Sequence, residues 1–98
     1  MQFVVTAIDF TDPGALERRM AHRETHLACV RKMIADGNFL SGGAILDADN
    51  KMIGSTLHLQ FPDRASLDQH LLNDPYISGK VWDQIDVKVV KLVPLKPQ

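Results

Sequence analysis

The chain begins with a nearly continuous apolar run. Residues 2–10 (QFVVTAIDF) are rich in Val and Ile, which predicts a strand that is central in a sheet or covered on both faces. Side chains of a strand alternate between its faces, so one face carries Phe3, Val5, Ala7 and Asp9. Asp9 is therefore an acid at the end of an otherwise apolar row.

A helical pattern follows over residues 15–35. Before it, Asp12 is suited to accept the first free amides of a helix, and Pro13 is suited to the first turn. After it, Gly37 is the expected terminator, because helices often end on a glycine. The sequence thus predicts one long helix after the first strand.

Two neighbouring stripes of side chains run along this helix at about 100° per residue. The apolar stripe consists of Leu27, Val30 and Ile34, and the second stripe of His22, His26, Cys29 and Met33. The two histidines are therefore expected at the edge of the buried face. The sequence leaves open a break of the helix near Arg23, with Thr25 capping a new segment.

Two further strands are predicted in the middle of the chain. Residues 39–46 (FLSGGAIL) form the first of them, and the Gly42-Gly43 pair predicts a bulge or a close approach of other atoms. Residues 52–61 alternate between apolar and polar side chains. A turn at residues 47–50 joins the two strands, which predicts a hairpin.

A second helix and a last strand complete the pattern. Asp63 is predicted to cap the helix. Its apolar positions are Leu67, Leu71 and Leu72. Pro75 disfavours helix at the preceding residue, so the helix is expected to end around residues 73–76. Residues 81–93 are rich in Val and Ile and predict the final strand, and residues 94–98 form a tail.

The order βαββαβ predicts an α+β fold of the ferredoxin-like type. This topology brings Asp9, Asp74 and Tyr76 to one end of the sheet, and His26 joins them if the helix restarts near Arg23. One sheet face is left without helices, and its apolar side chains need a partner. We therefore expect a homodimer in which two sheets face each other, a dimeric α+β barrel.

Length and composition place these elements in one domain over residues 1–98. The net charge of −1 offers no basic patch for nucleic acid, and no apolar run approaches the roughly 20 residues of a membrane span. The first ten residues lack a basic segment and are interpreted as a strand, not a signal peptide. With one cysteine, Cys29, no disulfide framework forms, and a cytoplasmic location is expected.

His22 and His26 have the i, i+4 spacing of a helical zinc pair. The corresponding protease motif needs a glutamate directly after the first histidine, whereas Glu24 is two residues on and points roughly 200° away. No cluster of further ligands accompanies the pair. We therefore expect no metal, and interpret the pair as histidines of the helix surface.

Two other motifs are weaker. Cys29 lies three residues after His26, as in a nucleophile–base pair, but a lone cysteine beside Met33 is more typical of core packing. The Gly42-Gly43 pair lacks the lysine and the spacing of a phosphate-binding loop, which favours a role in backbone geometry.

A histidine–aspartate pair is the catalytic interpretation that the predicted fold favours. A carboxylate fixes the tautomer of a neutral imidazole and stabilises the imidazolium that forms, so the pair acts as a general base near neutral pH. Either Asp9 or Asp74 fits as the partner of His26. The alternative is that Asp74 is a turn residue before Pro75 and that Asp9 is a strand-end acid in solvent.

Four segments in their order resemble the YCII family over nearly the whole chain, namely RRMAHRETHL, LSGG, GSTLHLQF and NDPYISGKV. The resemblance implies the same dimeric ferredoxin-like barrel. It places the histidine of the family at His26, its aspartates at Asp9 and Asp74, and its arginines at Arg19 and Arg23. Ala44, where many members have proline, and a shorter turn after it are departures that border the expected pocket.

The family includes a dehydrochlorinase of chlorinated hydroxyhydroquinone, so the resemblance implies a cofactor-free lyase that acts on a small hydroxylated aromatic compound. His26 would take a hydroxyl proton, and loss of chloride would leave a hydroxybenzoquinone. Substrate-binding roles are implied for Arg19, Arg23, Ser41 and Tyr76. The alternative is a non-catalytic protein that binds a small aromatic ligand, and composition does not separate the two.

Overall fold

The computed structural model describes residues 1–95. Its elements are β1 (Gln2–Asp9), α1 (Ala15–Ala35), β2 (Phe39–Leu46), β3 (Met52–Gln60), α2 (Arg64–Leu72), α3 (Pro75–Ser78) and β4 (Trp82–Val90). The strands form one antiparallel sheet in the order β2-β3-β1-β4, which confirms the predicted ferredoxin-like α+β fold. None of the helices in this range has the length and apolar character needed to cross a membrane.

The core lies between one face of the sheet and the two longer helices. Phe3, Val5 and Ala7 of β1 are fully buried, which confirms the predicted apolar row, and Asp9 at its end is only 4% exposed. The helices contribute Val30, Met33, Leu67 and Leu71 to the same cluster. The alternation along β1 therefore draws a carboxylate into the edge of the core.

Helix α1 runs without a break, so the restart considered near Arg23 is absent. The prediction of Asp12 as the cap is wrong, because the helix begins after Gly14 and no side chain caps it. The Asp12 carboxylate instead accepts a hydrogen bond from the Gly14 amide at 3.2 Å and pairs with Arg18. Gly37 has φ of +80° and follows the helix end, as predicted.

The buried face of α1 is the stripe that carries His26. Its members recur at intervals of four, seven, four and three residues and are Ala15, Arg19, His26, Val30 and Met33. Ile34 is exposed, contrary to the prediction, because it follows Met33 by about 100° and turns away from the sheet. His26 is therefore inside the protein, while His22 stays half-buried at the edge, against Gly79.

The segment after β3 follows the prediction except at its end. Asp63 caps α2 and accepts from the Ser66 amide at 2.8 Å, and Leu72 faces solvent, not the core. The chain does not simply turn at residues 73–76, because Pro75 starts the one-turn helix α3. Strand β4 ends at Val90, earlier than predicted. The last three residues of the predicted tail, 96–98, lie outside the described part of the chain.

The β2–β3 hairpin is confirmed, and its glycines have the expected effect on packing. A Cβ at Gly42 would lie 2.8 Å from the Thr56 carbonyl oxygen and 2.9 Å from the Phe39 ring, so no larger residue fits there. The register shifts between Phe39 and Ser41, just before the Gly42-Gly43 pair at which a bulge was predicted. This shift decides which side chains of β2 face the helices.

Candidate active site

A histidine and an aspartate from distant parts of the chain form a buried pair. Nδ1 of His26 lies 2.8 Å from Oδ1 and 3.1 Å from Oδ2 of Asp74, and the residues are 6% and 4% exposed. Asp74 is the N-cap of α3, where its Oδ1 also accepts from the Tyr76 amide at 2.8 Å. The helix start thus fixes the carboxylate that holds the imidazole.

Two aromatic rings fix the plane of the imidazole. The Tyr76 ring stacks on the His26 ring with 3.9 Å between centroids and 9° between planes. The Trp82 ring meets His26 edge-on at 5.6 Å and Tyr76 at 5.5 Å. Burial raises the pKa of the Tyr76 phenol above 10.0, so this hydroxyl stays neutral at physiological pH.

A buried ion pair lies beside the dyad. Nη1 of Arg19 donates to both carboxylate oxygens of Asp9, at 2.9 and 3.0 Å, and Nη2 donates to the Ser55 hydroxyl at 2.9 Å. Ser55 Oγ also accepts from the Trp82 indole N–H at 3.1 Å. The guanidinium lies over the Tyr76 ring, 4.8 Å from its centroid. This network connects β1, α1, β3 and β4.

The ion pair with Arg19 engages the Asp9 carboxylate and affects its pKa. Its carboxylate is engaged by Arg19, while the carboxylate bonded to His26 belongs to Asp74. Burial raises the pKa of Asp9 above 3.8, and the hydrogen bonds and charge of Arg19 oppose that rise. Geometrically, therefore, the dyad is His26–Asp74, and Asp9 belongs to the arginine.

His26 of the dyad and Arg19 border one cavity of about 290 Å³. Its polar lining consists of Arg19, Arg23, His26, Ser55 and Tyr76. Its apolar lining includes Leu27, Val30, Phe39, Met52 and Leu57, and Gly42, Gly43 and Ala44 complete the wall. A cavity of about 150 Å³ holds benzene. This cavity has room for one aromatic ring with several substituents.

Of the predicted site residues, the structure does not bring Ser41 to the others. Its hydroxyl is hydrogen-bonded to Nδ1 of His58 at 2.8 Å, on the sheet face opposite the helices. Strict alternation from Phe39 would have turned Ser41 towards the cavity. The register shift after Phe39 reverses this and places Gly42 there instead.

Two residues of the site were not predicted, namely Ser55, which accepts from Arg19, and Trp82, whose ring contacts the rings of His26 and Tyr76. A signal was present for Ser55, because it shares the buried row of β3 with Leu57 and Leu59. A hydroxyl in such a row needs hydrogen-bond partners. Trp82 is the first residue of β4, and nothing local distinguishes it from an ordinary core tryptophan.

The Cys29 thiol is poorly suited to act as a nucleophile. Burial and the charge of Asp74 raise the pKa of the Cys29 thiol above 9.0, which disfavours the thiolate that a nucleophile requires. Within residues 1–95, no three His, Cys, Asp or Glu side chains are grouped so that they would hold a metal ion.

The fold and this buried pair define the class of protein. Residues 1–91 match the YCII-related domain, and the chain belongs to that family. It is 32% identical to an uncharacterized protein of Haemophilus influenzae over 95% of this chain and 99% of that one. It is 28% identical to protein YciI of Escherichia coli, with the same shares covered.

Among solved structures, the chain is similar to the 5-chloro-2-hydroxyhydroquinone dehydrochlorinase of Burkholderia phenoliruptrix AC1100, in complex with 2,5-dihydroxybenzoquinone. The TM-score is 0.82 at 26% identity, and the alignment covers 93% of this chain and 94% of the other. This likeness agrees with the ferredoxin-like fold described above. That relative binds a single small ring.

Proposed function

We propose that this protein is an enzyme that dehydrochlorinates a small hydroxylated aromatic compound, most concretely a chlorinated hydroxyhydroquinone, with His26 as the general base. The observation that carries the proposal is the buried His26–Asp74 pair, whose imidazole lines a cavity sized for one ring. The likeness to the Burkholderia dehydrochlorinase supports the substrate class.

Asp74 determines which nitrogen of His26 acts. An ionised carboxylate only accepts hydrogen bonds, so in a neutral imidazole Nδ1 carries the hydrogen and Nε2 keeps its lone pair. Nε2 has no hydrogen-bond partner among residues 1–95. It is therefore the atom that takes the substrate proton, and Asp74 stabilises the resulting imidazolium.

The reaction balances without an external oxidant. His26 removes the proton of the hydroxyl next to the C–Cl carbon, and that carbon takes up a proton, which gives a keto tautomer. Loss of the proton from the hydroxyl para to the new carbonyl then moves electrons through the ring and expels chloride. The net change is loss of HCl, and the product is a hydroxybenzoquinone. The ring is oxidised as the C–Cl bond is replaced by C–H.

Positive charge beside the ring oxygens assists both steps. Each deprotonation develops negative charge on an oxygen, and Arg19 and Arg23 line the same cavity as His26. Arg19 is held in place by Asp9 and Ser55, so it needs no rearrangement when the charge appears. Such prearranged donors are a large source of transition-state stabilisation.

Chloride release from 5-chloro-2-hydroxyhydroquinone by the purified protein tests the proposal, with His26→Ala as the variant. His70→Ala is the matched control, because His70 of α2 contacts Phe61 and does not line the cavity. We expect release by the wild type and by His70→Ala. For His26→Ala we expect a loss of at least about 100-fold, as for removal of a general base.

Two outcomes contradict the proposal in different ways. Equal release by the wild type and His26→Ala would show that the dyad is not the base. No release by the wild type would favour a protein that binds a small aromatic ligand without converting it.

A further inference from the structure

The hydroxyl of Ser55 can still donate one hydrogen bond but can accept no more. A serine hydroxyl donates once and accepts at two lone pairs. Both partners of Ser55 Oγ, the Arg19 guanidinium and the Trp82 indole, are pure donors, at 2.9 and 3.1 Å. Both lone pairs are therefore occupied, and the O–H remains to be donated.

The direction of that O–H follows from its surroundings. Among residues 1–95, Ser55 Oγ has no third hydrogen-bond partner, and Ser55 lines the cavity. Ser55 as a residue is only 2% exposed, so bulk solvent offers its hydroxyl few partners. The O–H therefore points to whatever occupies the cavity.

Arg19 adds a second donor without a partner. Its Nη1 is used by Asp9 and its Nη2 by Ser55, but its Nε–H is buried without any hydrogen bond. Buried donors of this kind ordinarily find acceptors. Ser55 and the Arg19 guanidinium thus form a corner of the cavity whose side chains offer hydrogen-bond donors, and His26 lines the same cavity.

We propose that Ser55 determines ligand specificity by restricting this corner to a hydrogen-bond acceptor, namely a phenol, phenolate or carbonyl oxygen. The ligand class is then an aromatic ring that gives an O–H to His26 and presents a second oxygen to Ser55 and Arg19. This inference deepens the proposed function, since it rests on the same cavity. It names Ser55 as a binding residue in addition to the dyad.

The preference of this corner for hydrogen-bond acceptors can be tested with two aromatic compounds of equal size. Hydroquinone carries oxygens that accept, whereas 1,4-phenylenediamine carries N–H groups that mainly donate. Titration calorimetry of the wild type is expected to give at least tenfold tighter binding of hydroquinone. In Ser55→Ala this ratio falls to near one, while circular dichroism reports that the fold is retained.

A second variant covers the case in which Ser55→Ala does not fold. Trp82→Phe removes one of the two donors, so Ser55 Oγ regains a lone pair and accepts from an amine. The binding ratio in Trp82→Phe should then fall at least fivefold. The inference would be overturned if the folded variants kept the wild-type ratio of the two affinities. It would also be overturned if the wild type did not prefer hydroquinone. Absence of chloride release with the binding ratios as expected would overturn the dehydrochlorinase proposal alone.

Discussion

Oδ1 of Asp74 accepts two hydrogen bonds of 2.8 Å, one from Nδ1 of His26 and one from the backbone amide of Tyr76 in the first turn of α3. A single carboxylate thus links the start of a short helix to the orientation of an imidazole 48 residues away in sequence. The two roles are separable, because asparagine caps helices about as well as aspartate but carries no charge.

Asp74→Asn is therefore expected to reduce catalysis far more than stability. Without the carboxylate, the tautomer and the imidazolium of His26 lose their support, which costs roughly 10²–10⁴-fold in rate. Asp74→Ala also removes the cap and loses about 1 kcal/mol more of unfolding free energy. Chloride release and urea unfolding of both variants measure this. Wild-type rates in Asp74→Asn would remove Asp74 from the mechanism.

The buried Arg19–Asp9 pair predicts strong coupling in unfolding experiments. Arg19→Leu leaves a carboxylate without its partner, and the expected loss is about 3–5 kcal/mol. The double variant Arg19→Leu, Asp9→Leu should recover much of that loss, because a buried ion pair replaced by apolar groups is often close to neutral. Additive losses in the double variant would show that the two side chains act independently.

The stability of the Arg19→Leu variant should also depend on pH. Burial already raises the pKa of Asp9, and removing Arg19 removes the groups that lower it, so the pKa rises further. An acid with a raised folded pKa destabilises the fold as pH rises above the unfolded value. Arg19→Leu should therefore lose stability between pH 4 and neutral pH relative to the wild type.

The sequence predicted the placement of Asp9 and Asp74 because both depend on element order and strand alternation. Phe3, Val5 and Ala7 form the buried row that ends in Asp9, and the βαββαβ order brings residue 74 to the same end. The partner of His26 was left open, since it depends on side-chain geometry at a helix start that local sequence does not encode.

Two other features depend on strand register and were not predictable. Ser41 was expected in the cavity, but a one-residue shift in β2 turns it to the opposite face. The contact of Ser55 with Trp82 joins β3 to β4 across β1, so no spacing along the chain reveals it. Pairing details of this kind become visible only when the sheet is assembled.

The exposed pair of Asp12 and Arg18 predicts an acid-range titration. Arg18 donates to both oxygens of Asp12 at 2.7 and 2.8 Å and lowers the pKa of that carboxyl from 3.8 to about 2. The stabilisation is present above pH 3.8 and is lost as pH falls towards 2. Carboxyl chemical shifts in NMR should report this midpoint, and in Arg18→Gln the midpoint should return towards 3.8.

The sheet face without helices predicts a homodimer. Val4 and Ile8 of β1 lie on that face and are incompletely buried. The same sheet of a second copy would cover them across the width of the four strands. The expected mass by light scattering is twice the 10.9 kDa of the chain. Measurement at the monomer mass would contradict the dimer.

A charge placed on the sheet face without helices should dissociate the expected homodimer. Val4→Glu puts a carboxylate at the centre of the expected interface, where burying an unpaired charge is costly, so the mass should fall towards that of the monomer. Val89→Glu is the matched control, because Val89 pairs with the helix-facing Phe3 and is already 63% exposed. Dissociation by Val89→Glu alone would place the interface elsewhere, on the outer edge of β4.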